Sequence, residues 1–262
     1  MDKKKTGLFL SGDSLSEYVY NKLAKDGDIV SFAFEDIPFA ESSRFRFGDV
    51  AGIMALLKKE KVGRLVMIGR IDPSSLFKGE IQDSGKSFLK GQAGWQGEAL
   101  LASAASLLEK EGVRVLPLTQ VLGELLAESR VYTAEKPDRN QLCDIDTGIS
   151  LINSLSCYRA GQAAALKNGM VIAVEGIEGT DSMIKRAGGY CKGFTVVKLA
   201  GRGKDERFDL PVIGPGTAEA MKRAGGKVLA AEAGKTVIFE KEKTVSLCEE
   251  NDIILLGTPA KS

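Results

Sequence analysis

The chain has 262 residues, with 36 Lys+Arg against 35 Asp+Glu and no histidine. That length accommodates one large α/β domain or two of ordinary size, and a net charge of +1 provides no global field to draw nucleic acid, so any charged ligand must be held locally. Without histidine, Ser-His-Asp triads, Cys-His dyads, H-E-x-x-H zinc sites and imidazole proton shuttles are all excluded, which leaves acid–base work to carboxylates, lysines or metal-bound water.

A metal site in such a chain would be built from carboxylate oxygens, which favours Mg2+ or Mn2+ over zinc. Cys143, Cys157, Cys191 and Cys248 are scattered with no C-x-x-C pair and read as ordinary reduced thiols. The opening apolar run, residues 7–10, is too short for a signal peptide. Nothing approaches the roughly 20 apolar residues of a spanning helix, so a cytoplasmic location is expected.

In chain order, the first half alternates short apolar runs with amphipathic stretches: strands over residues 7–10, 29–34, 64–68 and 113–117, and helices over 15–25, 50–59 and 97–110. In the last of these helices Leu100, Leu101, Ala104, Leu107 and Leu108 share one face, and Glu111-Gly112 marks the stop. The alternation predicts a Rossmann-like, doubly wound parallel sheet. A polar stretch over 127–141 breaks the pattern, so a first domain is expected over 1–130, a linker over 131–141 and a second domain over 142–262. In the second domain, Asp144 is expected to cap a helix reaching Tyr158, with Ile145, Ile149, Ile152 and Leu155 on its buried side. Strands over 171–174, 194–199, 227–230, 236–239 and 253–256, with helices over 180–187, 217–224 and 241–251, make this domain a mixed α/β fold.

Four segments can carry chemistry. Ser11-Gly12-Asp13-Ser14 follows the opening strand, where a doubly wound fold turns backbone N–H groups towards an anion. Lacking the G-x-G-x-x-G pattern, it serves equally as a helix start capped by Asp13 or Ser14. Residues 79–97 form a glycine-rich loop in which Gly85-Lys86-Ser87 resembles the end of a Walker sequence, but Glu80 stands where the first glycine belongs, and the P-loop reading fails. Trp95 in that loop offers a stacking surface or simple packing. Over 171–187 an apolar strand runs into Glu175, Glu178 and Asp181, spaced by Gly176 and Gly179. These are either three carboxylates around a hard cation or a glycine turn with an acidic helix start. Residues 198–214 mix Lys198, Arg202, Lys204 and Arg207 with Asp205, Glu206 and Asp209, a pattern that suits a diphosphate and its metal or a solvated charged loop.

The E-x-x-E-G-T-D run from Glu175 to Asp181, the R-x-D-x-P run from Arg207 to Pro211, Ile213-Gly214 and Glu232-Ala233-Gly234 together resemble the UDP-2,3-diacylglucosamine pyrophosphatase family of lipid A biosynthesis. The similarity extends over residues 144–257. It implies a Rossmann-like N-terminal domain and a distinct α/β C-terminal domain with the ligand held between them, paired subunits in a homodimer, and peripheral contact with the inner membrane surface through the acyl chains of the substrate. It also implies hydrolysis dependent on Mg2+, or on Mn2+ in its place, with water attacking the α-phosphorus of UDP-2,3-diacylglucosamine to release UMP and 2,3-diacylglucosamine 1-phosphate, lipid X.

Under this resemblance Asp209 matches the family's essential aspartate, and Glu175, Glu178 and Asp181, read together with Asp209, are expected as metal ligands. Lys198 and Arg207 would offset charge in the transition state. Ser11, Gly12, Asp13, Gly69, Gly179 and Thr180 are expected to bind substrate. The chain departs from the family pattern chiefly in its N-terminal half, where Ser11-Gly12-Asp13 replaces a glycine triplet and Gly97-Glu98-Ala99 replaces G-D-D. The rival class is a non-catalytic nucleotide- or lipid-binding relative.

Overall fold

The computed structural model describes residues 5–35, 37, 42–46, 49–68, 97–158, 161–208 and 210–259. The chain divides into two compact units, Met1–Val121 with Asp205–Asp209, and Leu122–Lys204 with Leu210–Ser262.

The first unit holds strands β1 (Lys5–Leu10), β2 (Ile29–Phe34), β3 (Ser43–Phe45), β4 (Val62–Met67) and β5 (Arg114–Val115), and helices α1 (Ser14–Ala24), α2 (Val50–Lys59), α3 (Gly97–Lys110) and the single turn α4 (Leu118–Val121). Its strands pair in the order β3-β2-β1-β4-β5, every pair parallel. Helix α1 crosses from β1 to its parallel neighbour β2 and α3 lies between β4 and β5, and strands covered on both faces need continuous apolar runs, as in β1, where residues from Thr6 to Leu10 are buried. Phe9 meets Phe32 and Phe34 edge-on, with ring centroids 5.4 and 4.9 Å apart, in a core that also contains Leu57, Ala105 and Leu108. Strand order reverses between β1 and β4, and Ser11-Gly12-Asp13 follows β1 at that switch point.

The second unit adds β6 (Ala163–Lys167), β7 (Met170–Val174), β8 (Thr195–Lys198), β9 (Val212–Ile213), β10 (Val228–Glu232), β11 (Val237–Ile238) and β12 (Ile254–Thr258). Its helices are α5 (Arg139–Leu155), α6 (Thr180–Gly188), α7 (Pro215–Ala224) and α8 (Lys241–Glu250). The main sheet runs β12-β10-β8-β6-β7, with β12, β10 and β8 parallel and β6 antiparallel to both neighbours, while β9 and β11 form a separate parallel pair. This is the mixed α/β architecture that the second half of the sequence predicts.

The period-2 alternation of β10 shows how the sheet is covered. Val228 and Ala230 join Ile145, Ile149 and Ile152 of α5 in one core cluster, whereas Leu229 and Ala231 join Met183 and Ile184 of α6 and Met221 of α7 in another. Helices α6 and α7 approach so closely that a Cβ on Gly188 would lie 2.6 Å from the Ala224 carbonyl oxygen.

One detail differs from the sequence expectation. The cap of α5 is Asp138, not Asp144: Asp138 accepts the Gln141 backbone N–H at 2.8 Å while the Gln141 side chain accepts the Asp138 N–H at 2.8 Å. That reciprocal box satisfies two orphan donors, which Asp144, farther along the sequence, does not. Leu126, just before the polar stretch, and Val131, within it, make isolated antiparallel bridges to Val237 and Leu256. Among the described residues, no helix is long and apolar enough to cross a membrane.

Candidate functional site

Three sequence-predicted residues come together in the second unit, where β7 runs into the E-x-x-E-G-T-D turn and β8 ends. Lys198 closes β8 and is only 8% exposed. Its Nζ donates to Thr180 Oγ1 at 2.9 Å and to the Val212 carbonyl at 2.8 Å. Thr180 Oγ1 in turn donates to Glu175 Oε1 at 3.0 Å, and Glu175 Oε2 accepts the Gln162 backbone N–H at 2.9 Å. A cation, a hydroxyl and a carboxylate thus form one chain of hydrogen bonds, which offsets much of the penalty for burying the ammonium.

Thr180 is also the first residue of α6. Its N-cap, Gly179, has φ +80° and no side chain to bond the free N–H groups of the first turn. The positive end of a helix and a buried ammonium therefore lie at the same place, which is a setting for an anion.

The remaining motif acids point elsewhere. Glu178 Oε1 accepts from Arg186 Nη2 at 2.6 Å and Oε2 accepts the Gly176 N–H at 3.1 Å, while Arg186 also donates to the Val174 carbonyl at 2.8 Å. The Arg186 hydrogen bond holds the Glu178 carboxyl below its ordinary 4.5. Asp181, in the first turn of α6, is exposed. Among the described residues, no three acidic or cysteine side chains converge closely enough to hold a metal ion.

Two supports of this region were not among the expected site residues, although Glu232 stands in the Glu232-Ala233-Gly234 motif. Glu232, at the carboxyl end of β10 and 3% exposed, accepts the Ala200 N–H at 2.8 Å and faces Lys235 Nζ at 3.4 Å. Ser156 Oγ accepts the Arg202 N–H at 3.1 Å. Together they hold both sides of the turn at Gly201, whose φ is +80°. An acid ending the apolar run V-L-A-A-E is the signal that marks Glu232; Ser156 carries none.

In the first unit, Ser11, Asp13 and Ser16 satisfy one another. Asp13 caps α1 by accepting the Ser16 N–H at 2.7 Å, Ser11 Oγ donates to Asp13 at 2.8 Å, and Gly12 makes the turn with φ +76°. Arg207 also belongs to this unit. Its Nη2 donates to Asp205 Oδ2 at 2.7 Å, its Nε to Asp205 Oδ1 at 2.9 Å, and its Nη1 to Glu109 Oε1 at 2.8 Å. These bonds hold the Asp205 carboxyl below its ordinary 3.8 and raise the Arg207 guanidinium. Glu109 gave no sign of this part in the sequence. Gly69, Asp209, Trp95 and residues 79–96 lie outside the described residues.

The model of the LpxI N-terminal domain matches residues 14–125 and that of the LpxI C-terminal domain matches residues 128–256. The UDP-2,3-diacylglucosamine pyrophosphatase LpxI of Caulobacter vibrioides is 27% identical over 169 residues, a stretch that covers 61% of this chain and 60% of that protein. With both domain models matched in order along it, the chain belongs to the LpxI family, as its E-x-x-E-G-T-D and R-x-D-x-P motifs indicate.

Proposed function

We propose that this protein hydrolyses the diphosphate of UDP-2,3-diacylglucosamine in lipid A biosynthesis, releasing UMP and 2,3-diacylglucosamine 1-phosphate, lipid X. The observation that carries the reading is the buried Lys198 ammonium bonded to Thr180 at the uncapped start of α6, inside the family motif. Water attacks the α-phosphorus, so a P–O bond forms to the water oxygen and the bond from that phosphorus to the bridging oxygen breaks. Lys198 and the first-turn N–H groups of α6 bear the negative charge that gathers on the phosphoryl oxygens. Gly179 lets backbone approach the anion closely, and Glu175, through Thr180, keeps the ammonium oriented. Asp209 takes the role of ligand or of the carboxylate that orients water and accepts its proton.

Mg2+, with Mn2+ as its substitute, belongs to the same proposal. The donor chemistry fits a hard cation, since the chain offers carboxylates and no imidazole. Glu175, Glu178, Asp181 and Asp209 are the carboxylates this reading offers it, of which Glu175 is held here by Thr180 and Gln162 and Glu178 by Arg186, so a cation would take these two only in place of those partners. When bound, such an ion neutralises phosphate charge and lowers the pKa of its water. In the first unit, the Ser11-Gly12-Asp13 turn at the sheet's switch point and Gly69 would contact the nucleotide. The two acyl chains of the substrate call for peripheral contact with the inner membrane surface, and a homodimer is part of the same proposal.

The test is incubation with UDP-2,3-diacylglucosamine and Mg2+ or Mn2+ in ¹⁸O-water, with mass analysis of both products. Label in UMP and none in lipid X is expected, with release lost on chelation and in Asp209→Ala while the fold is retained. Label in the lipid 1-phosphate would refute attack at the α-phosphorus. Tight binding of an intact substrate with either metal present would instead establish a non-catalytic binder.

A further inference from the structure

Between β8 and β9 the chain leaves one unit for the other and returns. Lys204 and Leu210 belong to the second unit, yet the five residues between them, Asp205–Asp209, belong to the first. Several contacts within the first unit hold this stretch. The Leu118 N–H donates to the Glu206 carbonyl at 2.8 Å, and the Thr119 hydroxyl donates to the Glu206 carboxylate at 3.0 Å. Phe208 is 5% exposed in the core cluster that contains Leu57, Ala105 and Leu108.

Arg207 ties these contacts together. Its guanidinium takes Asp205 in a fork and reaches Glu109 on α3, 98 positions earlier in the chain, and it lies over the Phe208 ring with 5.1 Å to the centroid. The Arg207 N–H also donates to Asp205 Oδ1 at 3.0 Å. An arginine that grips phosphate presents its planar fork to the anion. Here the fork is closed on one carboxylate and its remaining arm on a second, so its charge is already matched. The residue held in this way stands two positions before Asp209.

We infer that Arg207, clamped by Asp205 and Glu109, is a positioning residue: with Phe208 as anchor it fixes the segment immediately preceding Asp209, instead of gripping the diphosphate itself. This rests on the reading of Asp209 as the acting carboxylate, and it adds Glu109 to the residues on which turnover depends. Removing the clamp leaves the chemistry of Asp209 intact and spoils its placement, and small misplacements of a reacting group are costly.

The experiment uses the full chain and compares E109Q, R207Q and the double variant with the unaltered protein. It reads kcat and KM for UMP release from UDP-2,3-diacylglucosamine, amide exchange of the peptide spanning residues 203–209, and thermal melting. Each single variant is expected to lower kcat about tenfold with KM within about twofold, and the double variant to fall no further than the worse single one, as members of one network do. Exchange in the peptide rises in all three while melting stays cooperative. E109Q discriminates, because removing an anion beside a phosphate grip would tighten binding, whereas removing part of a clamp slows turnover. Should R207Q raise KM about tenfold while E109Q turns over normally, Arg207 grips substrate and the clamp is overturned. If the unaltered protein releases no UMP, the proposed function fails on its own account; the clamp then stands on faster exchange in E109Q and R207Q and is overturned by unchanged exchange.

Discussion

Lys198 concentrates the residue-scale physics of this protein. A lysine with 8% exposure survives in the interior because Thr180 and the Val212 carbonyl accept hydrogen bonds from its ammonium and Glu175 stands one bond away. Lys198→Met keeps the stem's packing and removes the charge. UMP release is expected to fall by about 10²–10³-fold, the scale of losing one donor to a developing oxyanion. Stability should fall by only about 1–3 kcal/mol, since the Val212 carbonyl loses this donor but no buried charge is created. Kinetics and thermal melting of the same preparation check both parts, and a variant that melts normally yet turns over at the original rate would remove Lys198 from the site. Spacing grouped Glu175 with Glu178, but Gly176 turns the chain between them. One carboxylate then faces inward to Thr180 and Gln162, and the other outward to Arg186.

At the scale of elements, the β6–β7 hairpin shows how a helix and a turn support each other. Asn168 and Gly169 both have positive φ, +50° and +79°, which suits the two-residue turn whose twist matches the strands. Asp144 of α5, 2% exposed, accepts the N–H of both, at 3.1 and 2.6 Å. Asp144→Ala is expected to destabilise the second unit by about 2 kcal/mol, and Asp144→Asn by less, because the amide retains one acceptor for these donors. Chemical denaturation with a probe in the second unit reads the difference, and equal stability of all three proteins would contradict the latch. Most elements were legible in the sequence because their apolar periods are strong, as in α3, α5 and β10. Strand β6 was not, because its A-A-A-L core has low strand propensity and forms only through pairing with β7 and β8 on either side. The α5 cap was misassigned for a related reason: Asp138 and Asp144 are equally good caps by residue type, and the Gln141 partner decides between them.

For the whole molecule, acid should act on both units at once. Glu178, in the second unit, and Asp205, in the first, each have carboxyls held below their ordinary 4.5 and 3.8 by a hydrogen-bonded arginine. A depressed folded-state pKa contributes stability that is complete above the unfolded value and disappears as pH falls through the folded one. Stability is therefore expected to hold above about pH 5 and to decline below about pH 4, in the range of those unfolded values. Arg186→Gln should flatten the acid limb for the second unit alone, by a modest amount because the Glu178 pair is partly solvated. Urea unfolding followed against pH, with one probe in each unit, measures this, and identical acid limbs before and after the substitution would contradict it.

The sequence by itself determined the two α/β halves, the absence of imidazole chemistry and the motifs that assign the family, since each depends on local period, on composition or on residues a few positions apart. Only the tertiary structure decided that Lys198 meets Thr180, that Glu178 turns to Arg186, and that Asp205–Asp209 belongs with the first unit under the hold of Glu109. The physical reason is range. A helix or strand is specified by neighbours along the chain, whereas a hydrogen bond between residues 98 positions apart exists only because packing of the core brings α3 and this loop together.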